Sequence, residues 1–116
     1  MAPHKRFVAW HECHKLVLAV YKSTESFPKH ELYGLTSQAR RAAFSAPANI
    51  VEGASRKGRN EFRHFLDIAL GSLGELEYIL EVAAALSYLK PDVYETVQAQ
   101  QRRARFFTWK LKRSMS

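Results

Sequence analysis

"NEFRHFLDIALGSLGELEYILEVAAALSYL", residues 60–89, decides the fold. Within it Phe62, Leu66, Ala69, Leu73, Leu76, Leu80 and Ala83 recur at alternating steps of four and three, the seam of a helix packed lengthwise against another helix. Phe65, Ile68, Ile79, Val82, Leu86 and Leu89 lie beside that seam. The apolar arc is therefore wider than the ~100° of an ordinary surface helix, and the segment is expected to touch more than one neighbour. A long helix over about residues 60–89 is predicted.

On the amino-terminal side, "KGRN" at 57–60 supplies a turn, with Gly58 as the free backbone and Asn60 as the expected N-cap. Before it, residues 35–56 read as a helix whose inward face is mostly small: Leu35, Ala39, Ala42, Ala46 and Ile50. A first helix over 8–24 carries Trp10, Cys13, Val17, Val20 and Tyr21 at helical steps and stops at "SFPKHELYG", 26–34. On the carboxyl side, "LKPD" at 89–92 places Pro91 in the first turn of a last helix over 91–113, with Val93, Val97, Ala104, Phe107 and Leu111 inward. No alternating strand pattern competes. The expectation is an all-α single domain, 1–116, folded as an up-down-up-down antiparallel four-helix bundle.

A chain of 116 residues suits one domain with a real core. Lys and Arg number 18 against 11 acids, a net charge of +7, which favours an acidic partner such as nucleic acid, an anionic membrane or an acidic protein. The single cysteine, Cys13, excludes an internal disulfide. No signal-like or membrane-length apolar run is present, so the cytoplasm is the expected location and no membrane partner is expected.

The second helix carries "RRAAFSAPANIVEG", residues 40–53, with a proline, an asparagine and a glycine inside it. In a hairpin about "KGRN", facing residues have numbers summing to about 117. Arg41 is then expected near Glu75, Ser45 near Gly71 or Ser72, Asn49 near Asp67 or Ile68, and Glu52 near His64 or Arg63. Arg41, Ser45, Asn49 and Glu52, with Ser72 and Glu75, form a structural polar seam that fixes register. Pro47 is expected to kink the helix. Gly53, Gly71 and Gly74 are expected to remove bulk where the backbones cross. As a catalytic cleft the seam is poor, because its serines have no adjacent base.

The segment "GLTSQARRAAFSAPANIVEGASRKGRNEFRHFLDIALGSLGELEYIL", 34–80, resembles the signature of small four-helix-bundle proteins encoded within intervening sequences of bacterial 23S ribosomal RNA genes. It does so through R-x-A-x-S-x-P-x-N-I-x-E-G, E-F and A-x-G-S-L-x-E-L-E, and "LVLAVYKSTESFPKHELYG" also matches. Ala39 and Ala46 stand where the family pattern usually has larger apolar residues. The resemblance implies a left-handed antiparallel bundle assembling into a homopentamer. It also implies an architecture similar to accessory proteins of diversity-generating retroelements, whose accepted role is binding nucleic acid and a reverse transcriptase.

In that topology the amino terminus, the 57–60 turn and the carboxyl terminus share one end. Lys5, Arg6, Arg56, Lys57, Arg59, Arg63, Arg102, Arg103, Arg105, Lys110, Lys112 and Arg113, most of the 18 cations, are assigned to that end. Glu25, Glu31, Glu77, Glu81, Asp92 and Glu95 fall at the other. Arg102, Phe106, Trp109 and Arg113 share one face of the last helix, a pattern suited to gripping phosphates and stacking bases. Phe106 and Trp109 equally suit burial against another subunit. The candidate nucleic-acid-binding residues are accordingly Arg56, Lys57, Arg59, Arg63, Arg102, Arg103, Arg105, Phe106, Trp109, Lys110 and Arg113.

"HECH" sets His11 and His14 around Cys13 but needs a further ligand to hold a metal. No metal, cofactor or catalytic residue is expected, and the chain is read as no enzyme. The leading expectation is a homo-oligomeric bundle binding nucleic acid, RNA first, with little sequence specificity. The alternative is an oligomeric scaffold docking an acidic protein.

Overall fold

Every apolar stripe of the sequence becomes a helix in the structure, a computed structural model describing residues 2–115. The helices are α1 (Val8–Thr24), α2 (Leu35–Ala54), α3 (Arg59–Ala85) and α4 (Pro91–Arg113), with short 3-10 turns at Pro3–Arg6 and Lys29–Glu31. Contacts run around a square, α1 to α2 to α3 to α4 and back to α1, and none crosses a diagonal. The result is a rod of 43 × 24 × 23 Å. Among the described residues there is no strand, and no helix is long and apolar enough to cross a membrane.

The whole seam of α3 from Phe62 to Ala83 is buried, and so are Ala39, Ala42, Ala46 and Ile50 of α2. Ala43 and Pro47 join them, and α2 runs on as helix through Pro47. On α1 the buried stripe is Ala9, Glu12, Cys13, Leu16 and Val20. Tyr21, expected inside, is exposed beneath the Arg40 guanidinium, 4.7 Å from its ring centre. The aromatic ring keeps its face for a cation, and Leu16 fills the core instead.

Two helices end earlier than the periodicity suggests. α3 stops at Ala85 rather than Leu89 because Ser87 adopts a left-handed backbone, φ 62°. The Tyr88 N–H then donates to Ala83 O at 2.8 Å and the Ser87 N–H to Ala84 O at 3.0 Å, the paired bonds of a Schellman stop. α2 ends at Ala54, where the Ser55 and Arg56 N–H groups turn back to Glu52 O and Gly53 O. Gly58, not Asn60, stands at the N-cap of α3.

Gly53 meets its expected role: a Cβ there would lie 2.7 Å from the Phe62 ring and 2.9 Å from Phe65 Cβ. Gly71 and Gly74 do not, since a Cβ on either meets nothing within 4 Å. They are exposed or half-buried positions in mid-helix, so each lowers helix stability without easing a crossing.

At the pole formed by the α1–α2 and α3–α4 connections, Tyr88 Oη donates to Glu31 Oε2 at 2.9 Å and the Leu35 N–H to Glu31 Oε1 at 3.1 Å. These two donors, Leu35 first, hold the Glu31 carboxyl below its ordinary range, and the same bond pushes the Tyr88 hydroxyl up. At mid-core the Thr108 hydroxyl donates to Ala104 O, so the Cys13 thiol donates to Thr108 Oγ1 at 3.5 Å. Burial pushes that thiol up to about 11.

Three stability outcomes follow from these positions. Gly53→Ala is expected to destabilise the fold by about 1–3 kcal/mol through overpacking, whereas Gly71→Ala and Gly74→Ala each stabilise it by about 0.5–1 kcal/mol, read by urea denaturation. Ser87→Gly is expected to add about 1 kcal/mol by removing the left-handed penalty. The unfolded Cys13 thiol ionises near its usual value of 9.0 while the folded one keeps its proton to about 11. Its stabilising contribution therefore falls as pH rises from 9 to 11, by up to about 3 kcal/mol, and Cys13→Ala should flatten that dependence in denaturation curves.

Candidate nucleic-acid interface

The start of α1, the α2–α3 turn and the tail of α4 meet at one pole. The Phe7 ring packs edge-on against Phe62, centroids 5.5 Å apart, and Phe7, Val8 and Ala9 line a groove with Phe107, Lys110 and Leu111. Lys5, Arg6, Arg56, Lys57, Arg59, Arg63, Lys110, Lys112 and Arg113 gather there through the elements that carry them. Arg102, Arg103 and Arg105 are a correction: Arg102 falls at the midpoint of α4, about 17 Å from either end at ~1.5 Å per residue. These three extend the basic surface along the rod instead of crowding its end.

Several of the cations are already engaged. Arg103 Nε donates to Glu12 Oε1 at 2.7 Å with its guanidinium 5.1 Å from the Phe107 ring centre. Arg105 pairs with Glu77 at 3.4 Å, Arg56 with Glu52 at 3.3 Å, and Lys112 with Asp67. Arg63 Nε is buried with no partner in the structure. Lys5, Arg6, Lys57, Arg59, Arg102, Lys110 and Arg113 have no acidic partner within 4.0 Å among the described residues.

Glu12 was not singled out by the sequence, although its place between Ala9 and Leu16 puts it on the buried stripe. It is 4% exposed and accepts from Gln100 Nε2 at 3.1 Å, Arg103 and Lys15. Burial alone would raise this carboxyl. The hydrogen bonds from Gln100, Arg103 and Lys15, with the Arg103 charge, outweigh it and hold the group below its ordinary range. The cluster ties α1 to α4, so Arg103 is held as a tie between helices.

The outer face of α4 presents Arg102, Phe106, Trp109 and Arg113 together. Phe106 is 51% and Trp109 45% exposed, with ring centroids 6.4 Å apart and planes inclined by 33°. Lys110 Nζ lies 5.9 Å from the Phe106 centroid and Arg113 Cζ 5.2 Å from that of Trp109. With Arg105 and Leu70 of α3, this face borders a shallow hollow of about 350 Å³. Cations on aromatic faces beside open ring surface form a surface able to take phosphate and base together.

The polar seam assembles only in part. Ser45 Oγ and Ser72 Oγ share a hydrogen bond of 2.8 Å, as the hairpin register requires. Asn49 does not cross to α3; its Nδ2 donates to Ser45 O at 2.8 Å and to Ser45 Oγ at 3.1 Å. Glu52 turns to Arg56 in its own helix. Arg41 and Glu75 border one cleft of about 640 Å³ with Gln38 and Tyr78 but make no ion pair. Serine hydroxyls there have no histidine or cysteine beside them. In "HECH" both imidazoles pack on Trp10, His14 stacked at 5.0 Å and His11 edge-on at 5.1 Å with its Nε2 2.7 Å from Lys5 O, whereas Cys13 is buried in the core away from them.

The profile of the 23S rRNA-intervening sequence proteins matches residues 5–105. The chain belongs to that family. It is similar in fold to a crystal structure of a protein of unknown function from the S23 ribosomal protein family of Bacteroides thetaiotaomicron, at 22% identity and a TM-score of 0.81, covering 90% of this chain and 98% of that one. No curated protein matches the sequence. The family match takes in the Ser45–Ser72 register and the Glu12–Arg103 tie, whereas Phe106, Trp109, Lys110 and Arg113 lie beyond it.

The buried tie makes acid sensitivity specific. Because the folded Glu12 carboxyl is held below its ordinary range, its contribution is full above the unfolded value of 4.5 and is lost as pH falls through the folded value. Glu12→Gln is expected to cost about 1–3 kcal/mol near neutrality, with a smaller difference from wild type in thermal melts at pH 3.

Proposed function

We propose that this member of the 23S rRNA-intervening sequence proteins is a non-enzymatic, homo-oligomeric bundle of the cytoplasm that binds nucleic acid, RNA first. Binding uses its basic pole and the adjoining outer face of α4. The observation that carries this reading is the open strip of Arg102, Phe106, Trp109, Lys110 and Arg113, whose cations have no acidic partner among the described residues. Lys57 and Arg59 at the α2–α3 turn add charge at the same pole. Arg103, Arg105 and Lys112 are spent on protein carboxylates and contribute less. A helical face with no groove-fitting reading head favours backbone contact and stacking over base readout.

Self-association is supported by large apolar side chains left on the surface, Phe44 at 59% and Tyr78 at 67% exposure among them. The pentamer implied by the family resemblance is the assembly to test by light scattering.

Fluorescence anisotropy with random single-stranded RNA tests the binding. Raising salt from about 50 to 200 mM should weaken Kd by one or more orders of magnitude, and Arg102→Glu/Lys110→Glu/Arg113→Glu should weaken it at least tenfold and flatten the salt slope. An unchanged Kd in an intact triple variant would overturn the placement. No RNA binding, with capture of a purified acidic protein instead, would favour a docking scaffold.

A further inference from the structure

At the pole remote from the basic surface, the last turn of α1, the α3–α4 connection and the first turn of α4 enclose an open cavity of about 730 Å³. That lies within the ~300–1,000 Å³ of sites for drug-sized organic molecules. Its apolar wall includes Ala84, Leu89, Pro91 and Val93, and its polar positions include Lys22, Lys90 and Ser87.

The wall is held in place. Leu89 is 5% exposed, Ser26 Oγ donates to Tyr88 O at 3.3 Å, Tyr88 Oη is bonded to Glu31, and the Schellman bonds fix Ser87. A cavity edged by fixed elements needs little ordering on binding.

The donors left over have one sign. Ser23, which also lines the cavity, gives its hydroxyl proton to Ala19 O, and Ser26 shares its single proton between Ser23 O at 3.0 Å and Tyr88 O at 3.3 Å. The ammonium groups of Lys22 and Lys90 have no carboxylate within 4.0 Å among the described residues, and no acidic side chain lines the cavity. Ser87 is the one non-glycine residue with positive φ among the described residues, in a position where glycine would relieve strain. A serine held there keeps a hydroxyl on the cavity edge, and backbone strain of this kind points toward use.

We propose that this cavity binds a small organic anion with an apolar body, a medium-chain carboxylate being the simplest, its head between Lys22, Lys90 and Ser87 and its chain along the α3–α4 wall. Glu25, Asp92 and Glu95 on the surrounding surface disfavour a polyanion, which separates this site from the nucleic-acid surface. The proposal stands whether or not the basic pole binds RNA.

The test is titration of the full chain with decanoate, followed by amide NMR, with decanol as the uncharged comparator. Decanoate should shift amides in 22–26 and 84–93 saturably, and decanol should bind at least about tenfold more weakly. Lys22→Gln/Lys90→Gln should weaken decanoate at least about tenfold with an unchanged amide fingerprint elsewhere. Ser87→Gly should weaken it a few-fold while raising the melting temperature, a split that general loss of structure would not give. Equal binding of decanol, shifts confined to the α4 strip, or undiminished binding in the folded double-lysine variant would each overturn the proposal.

Discussion

Close approach of α2 to α3 sets the geometry on which the rest of the bundle depends. Ala39, Ala42, Ala43 and Ala46 present little more than methyl groups to a helix studded with Leu66, Leu73, Leu76 and Leu80, so large side chains of one helix fill the space that small ones leave on the other. Gly53 extends that fit to the turn, where Phe62 and Phe65 occupy the volume a side chain would need. One polar bond, Ser45 to Ser72, marks the register; a slip by a residue would break it and rotate leucines away from the alanine face. With α2 and α3 fixed, α1 and α4 close the square.

Charge is divided between two uses. Carboxylates on α1 and α3 take up Arg103, Arg105 and Lys112, tying α4 to its neighbours along its length. Of these, the Glu12 cluster is the strongest constraint, because a buried carboxylate needs its partners to remain charged. Of the cations those ties leave free, Arg102, Lys110 and Arg113 lie on the outer face of α4 and Lys57 and Arg59 around the α2–α3 turn, while Lys22 and Lys90 stand at the opposite pole. Antiparallel helices cancel one another's macrodipoles, so the polarity of the molecule comes from its side chains.

The seam of α3 and the alanine face of α2 were legible because burial on a helix imposes periodicity that survives every local detail. The hairpin arithmetic placed Ser45 against Ser72 for the same reason: rise per residue is fixed once the turn is known. Among the features that escaped, three have separate physical causes. The stop at Ala85 depends on a serine in a conformation that sequence assigns to glycine. The Glu12 cluster joins residues some ninety positions apart, and a lone acid in an apolar stripe names no partner. Arg102, Arg103 and Arg105 share a helix with Lys110 and Arg113, but a rise of ~1.5 Å per residue carries them well back from its end. For the candidate interface, the Phe106–Trp109 pattern was readable from its spacing, while which cations stay free required the positions of the opposing carboxylates.

The placement of Cys13 reaches into how the molecule can be studied. Its sulfur is fully enclosed, bonded to Thr108 and kept protonated well above neutrality. Maleimide dyes and spin labels react with thiolates that solvent can reach, so the native sulfur need not be engineered away before a probe is attached elsewhere. A single cysteine introduced on any outer helical face becomes the sole handle, leaving the interior undisturbed by a background substitution.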